Sequence, residues 1–165
     1  MKIQVVNKSS NPLPKYAHAV GDSGVDLMAD MWGIQGKFLF NSEIIRNPED
    51  DTIECISIAP GGRALIPTEI YTAIPNGYEI QIRSRSGLAL KKGIIVLNSP
   101  GTIDASFRNS HGVILMNLGT EPFEVRQGDK IAQAVLVKVE QIEWETVEFL
   151  DETDRNLGGF GSTGV

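Results

Sequence analysis

The chain has 165 residues, of which 41% are hydrophobic and 22% are charged, and its formal net charge at pH 7 is -6. This length and composition favour one folded domain over residues 1–165 and exclude a disordered or fibrous chain. The acidic balance disfavours nucleic acid as a partner, because duplex binding needs a basic surface. A few converging arginines and backbone N–H groups can still hold a small anion.

We expect an intracellular, cytoplasmic protein with no membrane partner. Residues 1–10 lack the apolar run of a signal peptide, and no later segment approaches the about 18 apolar residues that cross a bilayer. Cys55 is the single cysteine, so an intrachain disulfide and a cysteine-based zinc site are excluded. His18 and His111 are far apart and lack partners at ligand spacing, so we expect them at surface or hairpin positions.

Strand-like patterns dominate the chain. Period-two alternation predicts half-buried strands at 52–55, 78–83 and 142–146. Denser apolar runs predict strands covered on both faces, by a second sheet or by another subunit, at 94–97, 113–116 and 134–139. Turn signals separate these segments at 60–62, 75–77, 99–101, 118–120 and 127–129.

Helix is a minor component, with one short helix expected from Ser86 through Lys91. The cadence of short strands and turns predicts an all-β sandwich or barrel. Composition changes abruptly at residues 158–164, GGFGSTG, and we expect a flexible Gly-rich tail from about 152 to 165.

The tail is the first of five segments that could carry chemistry. Its glycine N–H groups, the hydroxyls of Ser162 and Thr163 and the guanidinium of Arg155 suit a phosphate, and the ring of Phe160 suits stacking on a base. The alternative is a solvated chain end.

The second segment, 83–89, follows a predicted strand. Its Ser-Gly pair presents a hydroxyl and N–H groups to an anion, with Arg85 nearby. The alternative is an ordinary helix N-cap at Ser86.

The remaining segments are 97–109, 128–133 and 23–29. In the first of these, Asp104 is placed to orient a water, and Asn98 offers the donor and acceptor that a pyrimidine edge needs. The alternative for Asp104 is a turn residue that bonds its own backbone. The other two segments are also consistent with a Gly-Asp turn and a short strand.

Taken in order, the motifs at 24–27, 85–89, 101–104, 128–133 and 158–164 closely resemble the five ordered motifs of the trimeric dUTP pyrophosphatases, or dUTPases. The resemblance implies a jelly-roll-like β-barrel or sandwich subunit in a homotrimer with shared active sites. It implies hydrolysis of dUTP to dUMP and pyrophosphate, which keeps uracil out of DNA and supplies dUMP for thymidylate synthesis.

The resemblance also implies roles for individual residues. Asp104 activates the water that attacks the α-phosphorus, Asn98 reads the uracil edge, and Phe107 lies against the deoxyribose. Arg85 has a supporting role. The residues expected to bind substrate are Arg85, Ser86, Gly87, Asn98, Gly101, Thr102, Ile103, Phe107, Gln133, Arg155, Phe160, Gly161, Ser162 and Thr163.

Magnesium is the implied cofactor, carried mainly by the substrate triphosphate. No direct protein ligand is expected, and Asp26 is reached through water at most, which suits a cation that keeps much of its hydration.

The chain departs from the family pattern at three places. Phe107 replaces the usual Tyr, so the ring is kept and the phenol is lost. Asn109 stands where Gly is common, and Asn is the non-Gly residue that best accepts a positive φ. Ser84 replaces a Pro, which we expect to loosen the backbone without removing a contact.

Residues 32–52 form an apparent insertion, expected to be a surface hairpin or, alternatively, a partner-binding arm.

Two other functions compete with dUTP hydrolysis. One is a dCTP deaminase on the same scaffold, disfavoured because the stretch after Gly101 offers no Glu; the other is a dUTP-sensing or protein-binding member without catalysis.

Overall fold

A computed structural model describes residues 1–18, 20–34 and 36–154. Strands make up most of the regular structure in these ranges. They are β1 (Gln4–Asn7), β2 (Val25–Met28), β3 (Leu39–Arg46), β4 (Ile53–Pro67), β5 (Ile70–Ala73), β6 (Tyr78–Arg83), β7 (Ile94–Val96), β8 (Gly101–Ile103), β9 (Gly112–Asn117), β10 (Phe123–Val125) and β11 (Lys130–Lys138). A 3-10 helix covers Gly36–Phe38, and one α-helix, α1, covers Ser86–Lys92.

The strands form three antiparallel sheets. Four strands pair in the order β2-β11-β6-β8, and β10-β4-β9-β7 form a second sheet in which β3 also pairs with β4. β1 and β5 form a separate two-stranded sheet. Apolar residues of both larger sheets, such as Leu27 and Ile82 on one side and Ile58 and Leu115 on the other, meet in one core. The predicted all-β, jelly-roll-like class is confirmed.

The alternation in 78–83 correctly predicted β6. Ile80 and Ile82 are buried, while Glu79, Gln81 and Arg83 are partly exposed on the opposite face. The dense runs also form strands, as β7, β9 and part of β11. In β9 buried and partly exposed positions alternate, so the second face of that strand is not fully covered within this chain.

The strand predicted over 142–146 is wrong for the isolated chain. Residues 139–150 contain no strand, and Ile142 and Trp144 are 72% and 84% exposed. Alternation in the sequence gives a strand one apolar face, but a strand also needs a neighbouring strand that forms hydrogen bonds with its backbone N–H and C=O groups. No strand of the described part of this chain pairs with the segment.

The turn predicted at 60–62 is also wrong. These residues lie inside β4, where the ladder with β3 shifts register between Phe40 and Ser42. Gly61 and Asn41 take up the irregularity with φ values of +74° and +50°. The chain reverses instead at 47–52, so β3, which lies within the segment proposed as an insertion, forms a hairpin with β4, which follows that segment.

The short helix is confirmed, but its cap differs from the expectation. Arg85 occupies the N-cap position with no side-chain cap hydrogen bond, and Ser86 is the first helical residue. Gly93 ends the helix in the left-handed conformation, with φ at +68°. At seven residues α1 is too short to cross a bilayer, and elsewhere in the described ranges no helix has the length and apolarity that a membrane span requires.

Candidate active site

Three strands bring three of the five motifs to neighbouring positions. β11 lies between β2 and β6, so Gln133 faces Asp26 on one side and Arg83 on the other. Arg85 and Ser86 follow directly after β6. Residues far apart in sequence therefore meet at one end of the four-stranded sheet.

Asp26 is the centre of a charged group at this end. Its Oδ1 lies 2.9 Å from Arg85 Nε, and its Oδ2 lies 3.1 Å from Lys130 Nζ. Arg85 Nη1 also donates to the backbone oxygen of Lys130 at 2.7 Å. Both carboxylate oxygens of Asp26 therefore face cationic side chains.

Sequence reasoning missed Lys130 as a member of this group. Its position directly after Gly128 and Asp129 placed it in the fourth motif, but a basic residue at the start of a strand usually faces solvent. The contact with Asp26 depends on the register of β11 against β2, which is irregular between Lys130 and Ala132.

Ser84 makes a contact that the sequence analysis did not anticipate. Its hydroxyl accepts a hydrogen bond from Val96 N at 2.9 Å, and its carbonyl accepts one from Gln133 Nε2 at 3.0 Å. The hydroxyl of Ser84 therefore ties the start of the second motif to β7, and its backbone carbonyl ties the same point to β11. A proline has no hydroxyl to accept the Val96 bond.

Ser86 and Gly87 lie exposed in the first turn of α1. A Cβ built on Gly87 would meet no atom within 4 Å, so the space over this turn is open. The first backbone N–H groups of a helix have no partner within the helix, which leaves them able to bind an anionic ligand.

The residues expected to read the base lie at the edge of the same sheet. β8 pairs with β6, matching Gly101 with Ile82 and Ile103 with Ile80. Asn98 packs its amide against Gly101, where an added Cβ would lie 3.1 Å from Asn98 Nδ2. Thr102 and Asp104 point outward, while Ile103 is buried.

Asp104 begins an exposed loop that ends at Ser110. Its carbonyl accepts a bond from Phe107 N at 3.1 Å, so the chain turns back between these two residues. Arg108 Nη1 donates to Phe107 O at 2.8 Å and also to Ala105 O. Phe107 is 38% exposed, so its ring is accessible to a ligand.

Asp104 and Ser86 are not brought together within one chain. Since Ile103 pairs with Ile80, Asp104 leaves the sheet beside Glu79, whereas Ser86 lies beyond Arg83 at the other end of β6. The four residue steps along the strand from Glu79 to Arg83 span about 13 Å. One subunit therefore presents the two groups at separate places.

His111 lies in the core rather than at the surface, and is only 2% exposed. Its expected surface or hairpin position is wrong, because the chain enters β9 just after it and turns the ring inward. Burial lowers the pKa of His111 from 6.5 to about 4, so the ring is neutral near pH 7.

Asn109 is not among the described non-Gly residues with positive φ, so the loop closes without that conformation.

Five expected substrate-binding residues lie outside the described part of the chain. They are Arg155, Phe160, Gly161, Ser162 and Thr163, together with most of the predicted tail. Within residues 1–18, 20–34 and 36–154, no group of three or more His, Cys, Asp or Glu side chains is arranged to hold a metal ion.

Comparison with known proteins identifies the family. The dUTPase family profile matches residues 52–164. A deoxyuridine 5'-triphosphate nucleotidohydrolase of Finegoldia magna is 47% identical over 164 residues, covering 99% of each chain.

Two solved structures are similar in fold. A variant of the Staphylococcus bacteriophage 80alpha dUTPase with dUpNHpp has a TM-score of 0.76 at 23% identity, covering 99% of each chain. A variant dUTPase from phage phi11 of S. aureus has a TM-score of 0.71 at 21% identity, covering 92% of this chain and 100% of that one; its structure concerns a structural Mg(II) ion. Profile, sequence identity and architecture agree, and the chain belongs to the dUTPase family.

Proposed function

We propose that the protein hydrolyses dUTP to dUMP and pyrophosphate. The observation that carries this proposal is the 47% identity to a dUTP nucleotidohydrolase over the whole chain. The site supports it, because Asp26, Arg85 and Gln133 gather at one sheet end while Asp104 and Phe107 lie exposed on one loop.

Asp104 is the catalytic residue in this proposal. Its carboxylate accepts a proton from a water whose oxygen attacks the α-phosphorus. A bond forms between that oxygen and phosphorus, the bond from phosphorus to the bridging oxygen breaks, and pyrophosphate leaves. Ser86, Gly87 and Gln133 hold phosphate oxygens, with Arg85 supporting them, and Arg155, Ser162 and Thr163 clasp the γ-phosphate.

The loop and β8 give the base and sugar specificity. Asn98, together with the backbone of the loop around Asp104 to Arg108, reads uracil, since a pattern of donors and acceptors set for uracil leaves groups unpaired if cytosine enters. Gly101, Thr102 and Ile103 complete the substrate-binding set on β8. Phe107 packs against the deoxyribose and leaves no room for a 2′-hydroxyl. Phe160 and Gly161 cover the base, which excludes bulk water.

Magnesium enters with the triphosphate, where it would neutralise developing charge on the phosphate oxygens. The described residues suit this arrangement, because Asp26 is a partly exposed carboxylate whose oxygens face Arg85 and Lys130. Asp26 would contact the hydrated ion through water and would not bind the metal directly.

The protein acts as a homotrimer with sites shared between subunits. Supporting this, Asp104 and Ser86 lie at different ends of β6, too far apart to act on the same phosphate within one chain. Residues 142–146, in which Ile142, Trp144 and Thr146 alternate with two glutamates, also have no strand partner in the described chain. A neighbouring subunit would supply that partner.

We also propose that residues 1–165 form one dUTPase-like domain, with residues 32–52 as its surface insertion. The single core built from both larger sheets supports this division. Deleting residues 36–46 and joining the flanking ends through a short Gly-Ser linker should leave dUTP turnover unchanged, whereas loss of turnover with the fold intact would assign the segment to the site.

The first test is pyrophosphate release from dUTP with Mg²⁺, run beside dCTP, dTTP and UTP. We expect release from dUTP alone, and its loss in Asp104→Asn but not in Asp50→Asn, a carboxylate in the distant β3–β4 turn. Ammonia released from dCTP would support a deaminase. Tight dUTP binding without turnover would support a sensor.

A further inference from the structure

The loop that carries Asp104 and Phe107 is attached to the protein at its two ends. At the first end, β8 pairs with β6. From Asp104 to Asn109 the described hydrogen bonds are local, such as Phe107 N to Asp104 O and Arg108 Nη1 to Phe107 O. The position of the loop is therefore set by what holds its two ends and by the packing of Ala105 against the core.

The second end is held by the segment from Thr68 to Thr72. Thr68 donates twice to the carbonyl of His111, from its backbone N at 3.1 Å and from its hydroxyl at 2.7 Å. His111 N in turn donates to Ile70 O at 2.9 Å. Ser110 Oγ accepts from Glu69 N at 3.1 Å.

Glu69 has a left-handed backbone, with φ at +53°. This conformation is unfavourable for a residue with a Cβ and persists only where its surroundings determine it. Here the bonds from Glu69 N to Ser110 and from Lys8 N to Glu69 O hold it in place. The end of the loop is thus part of a densely bonded corner.

The imidazole of His111 adds one buried side-chain contact to this corner. Its Nε2 lies 3.0 Å from Thr72 Oγ1, and both residues are buried. Thr72 belongs to β5, which pairs with β1. This contact joins the two-stranded sheet to the last residue before β9, beneath the loop.

We propose that His111 and Thr72 form a positioning pair that sets the geometry of the Asp104 loop, and thereby the rate of hydrolysis and the discrimination against UTP. The proposal rests on the proposed function. Neither side chain touches substrate; they act through the backbone of Ser110 and His111. Asp104 and Phe107 lie on the same loop, so a shift in its attachment affects both the attacking water and the sugar contact.

The test compares Thr72→Val with Thr72→Ser. Valine keeps the volume and removes the hydroxyl, whereas serine keeps the hydroxyl. We expect Thr72→Val to lower kcat for dUTP about tenfold with KM changed less than about twofold, and to reduce the preference for dUTP over UTP. Thr72→Ser should restore most of the activity. His111→Leu combined with Thr72→Val should be no worse than His111→Leu alone.

Asn117→Ala is the control for a general loss of stability. Asn117 is buried at the far end of β9 and donates to Ile58 O and Glu121 O, away from the loop. At a temperature where all variants are folded, we expect its kcat to stay near that of the wild type. An equal loss of kcat in Asn117→Ala and Thr72→Val would overturn the positioning role.

Amide hydrogen exchange at Phe107 and His111 gives a readout that does not depend on turnover. We expect faster exchange in Thr72→Val than in wild type or Thr72→Ser. Unchanged exchange together with unchanged kcat overturns the inference. Absence of dUTP hydrolysis by the wild type would instead overturn the proposed function, while the exchange result would still decide whether the pair holds the loop.

Discussion

Arg85 Nε lies 2.9 Å from Asp26 Oδ1. This contact joins the first sequence motif, on β2, to the second, which follows β6, across the intervening strand β11. Lys130, from the fourth motif, contacts the other oxygen of the same carboxylate. Both side chains of the Arg85–Asp26 pair are about a third exposed, so solvent screening limits the stability that the pair contributes to at most about 1 kcal/mol. Its main consequence is to orient Arg85 and Asp26 beside Ser86.

Arg85→Ala should therefore reduce activity more than stability. We expect kcat/KM for dUTP to fall at least about tenfold, because Asp26 loses a partner and the strand end loses a cation. The melting temperature should change little. Steady-state kinetics and thermal unfolding measure both, with Arg63→Ala on β4 as a control; a large melting shift with unchanged kinetics would contradict the role.

Gly101→Ala should weaken dUTP binding. The new Cβ would lie 3.1 Å from Asn98 Nδ2, so the amide must move away from the position in which we propose that it reads the base. We expect KM for dUTP to rise about three- to tenfold with a smaller change in kcat. Gly36→Ala, where a Cβ meets no atom within 4 Å, is the matched control. Equal KM values for both variants would remove Asn98 from base recognition.

The burial of His111 predicts a dependence of stability on pH. Its pKa is about 4 when folded against 6.5 when unfolded, so between these values the unfolded chain binds the additional proton. The free energy of unfolding thus rises with pH across this window. The contribution of neutral His111 to the free energy of unfolding is fully present above pH 6.5. It falls by on the order of 3 kcal/mol as the pH falls toward 4.

Urea unfolding of wild type and His111→Leu at pH 7, 5.5 and 4.5 isolates this effect from that of the carboxylates. We expect the free energy of unfolding of the wild type minus that of His111→Leu to decrease as the pH falls, since leucine has no proton to bind. Parallel profiles for the two proteins would show that His111 is not the group responsible.

Trp144→Glu should disrupt the trimer without unfolding the subunit. Trp144 is 84% exposed in the described chain, so its replacement costs little within one subunit, whereas a buried glutamate would be costly between subunits. Sedimentation should give about three times 18.0 kDa for wild type and a smaller mass for the variant. Trp32→Glu, at a residue 87% exposed, is the control. A trimer in both variants would place residues 139–150 outside the interface.

The order of five short motifs was sufficient to indicate the family, and local alternation was sufficient for strands such as β6. The turns at 75–77 and 127–129 and the short helix were also readable, because glycine and proline act on the backbone within a few positions, although the turn predicted at 60–62 lies inside β4. These features depend on residues close together in the chain, so the sequence by itself determined them.

Only the tertiary structure decided which residues meet. The inward ring of His111, the contact of Lys130 with Asp26 and the hydroxyl bond of Ser84 to Val96 all depend on the register between strands distant in sequence. Residues 142–146 show the same limit, because their alternation specifies which face of a strand would be apolar but not which strand would pair with it. Pairing is a long-range property, and local pattern carries no information about which strand will lie alongside.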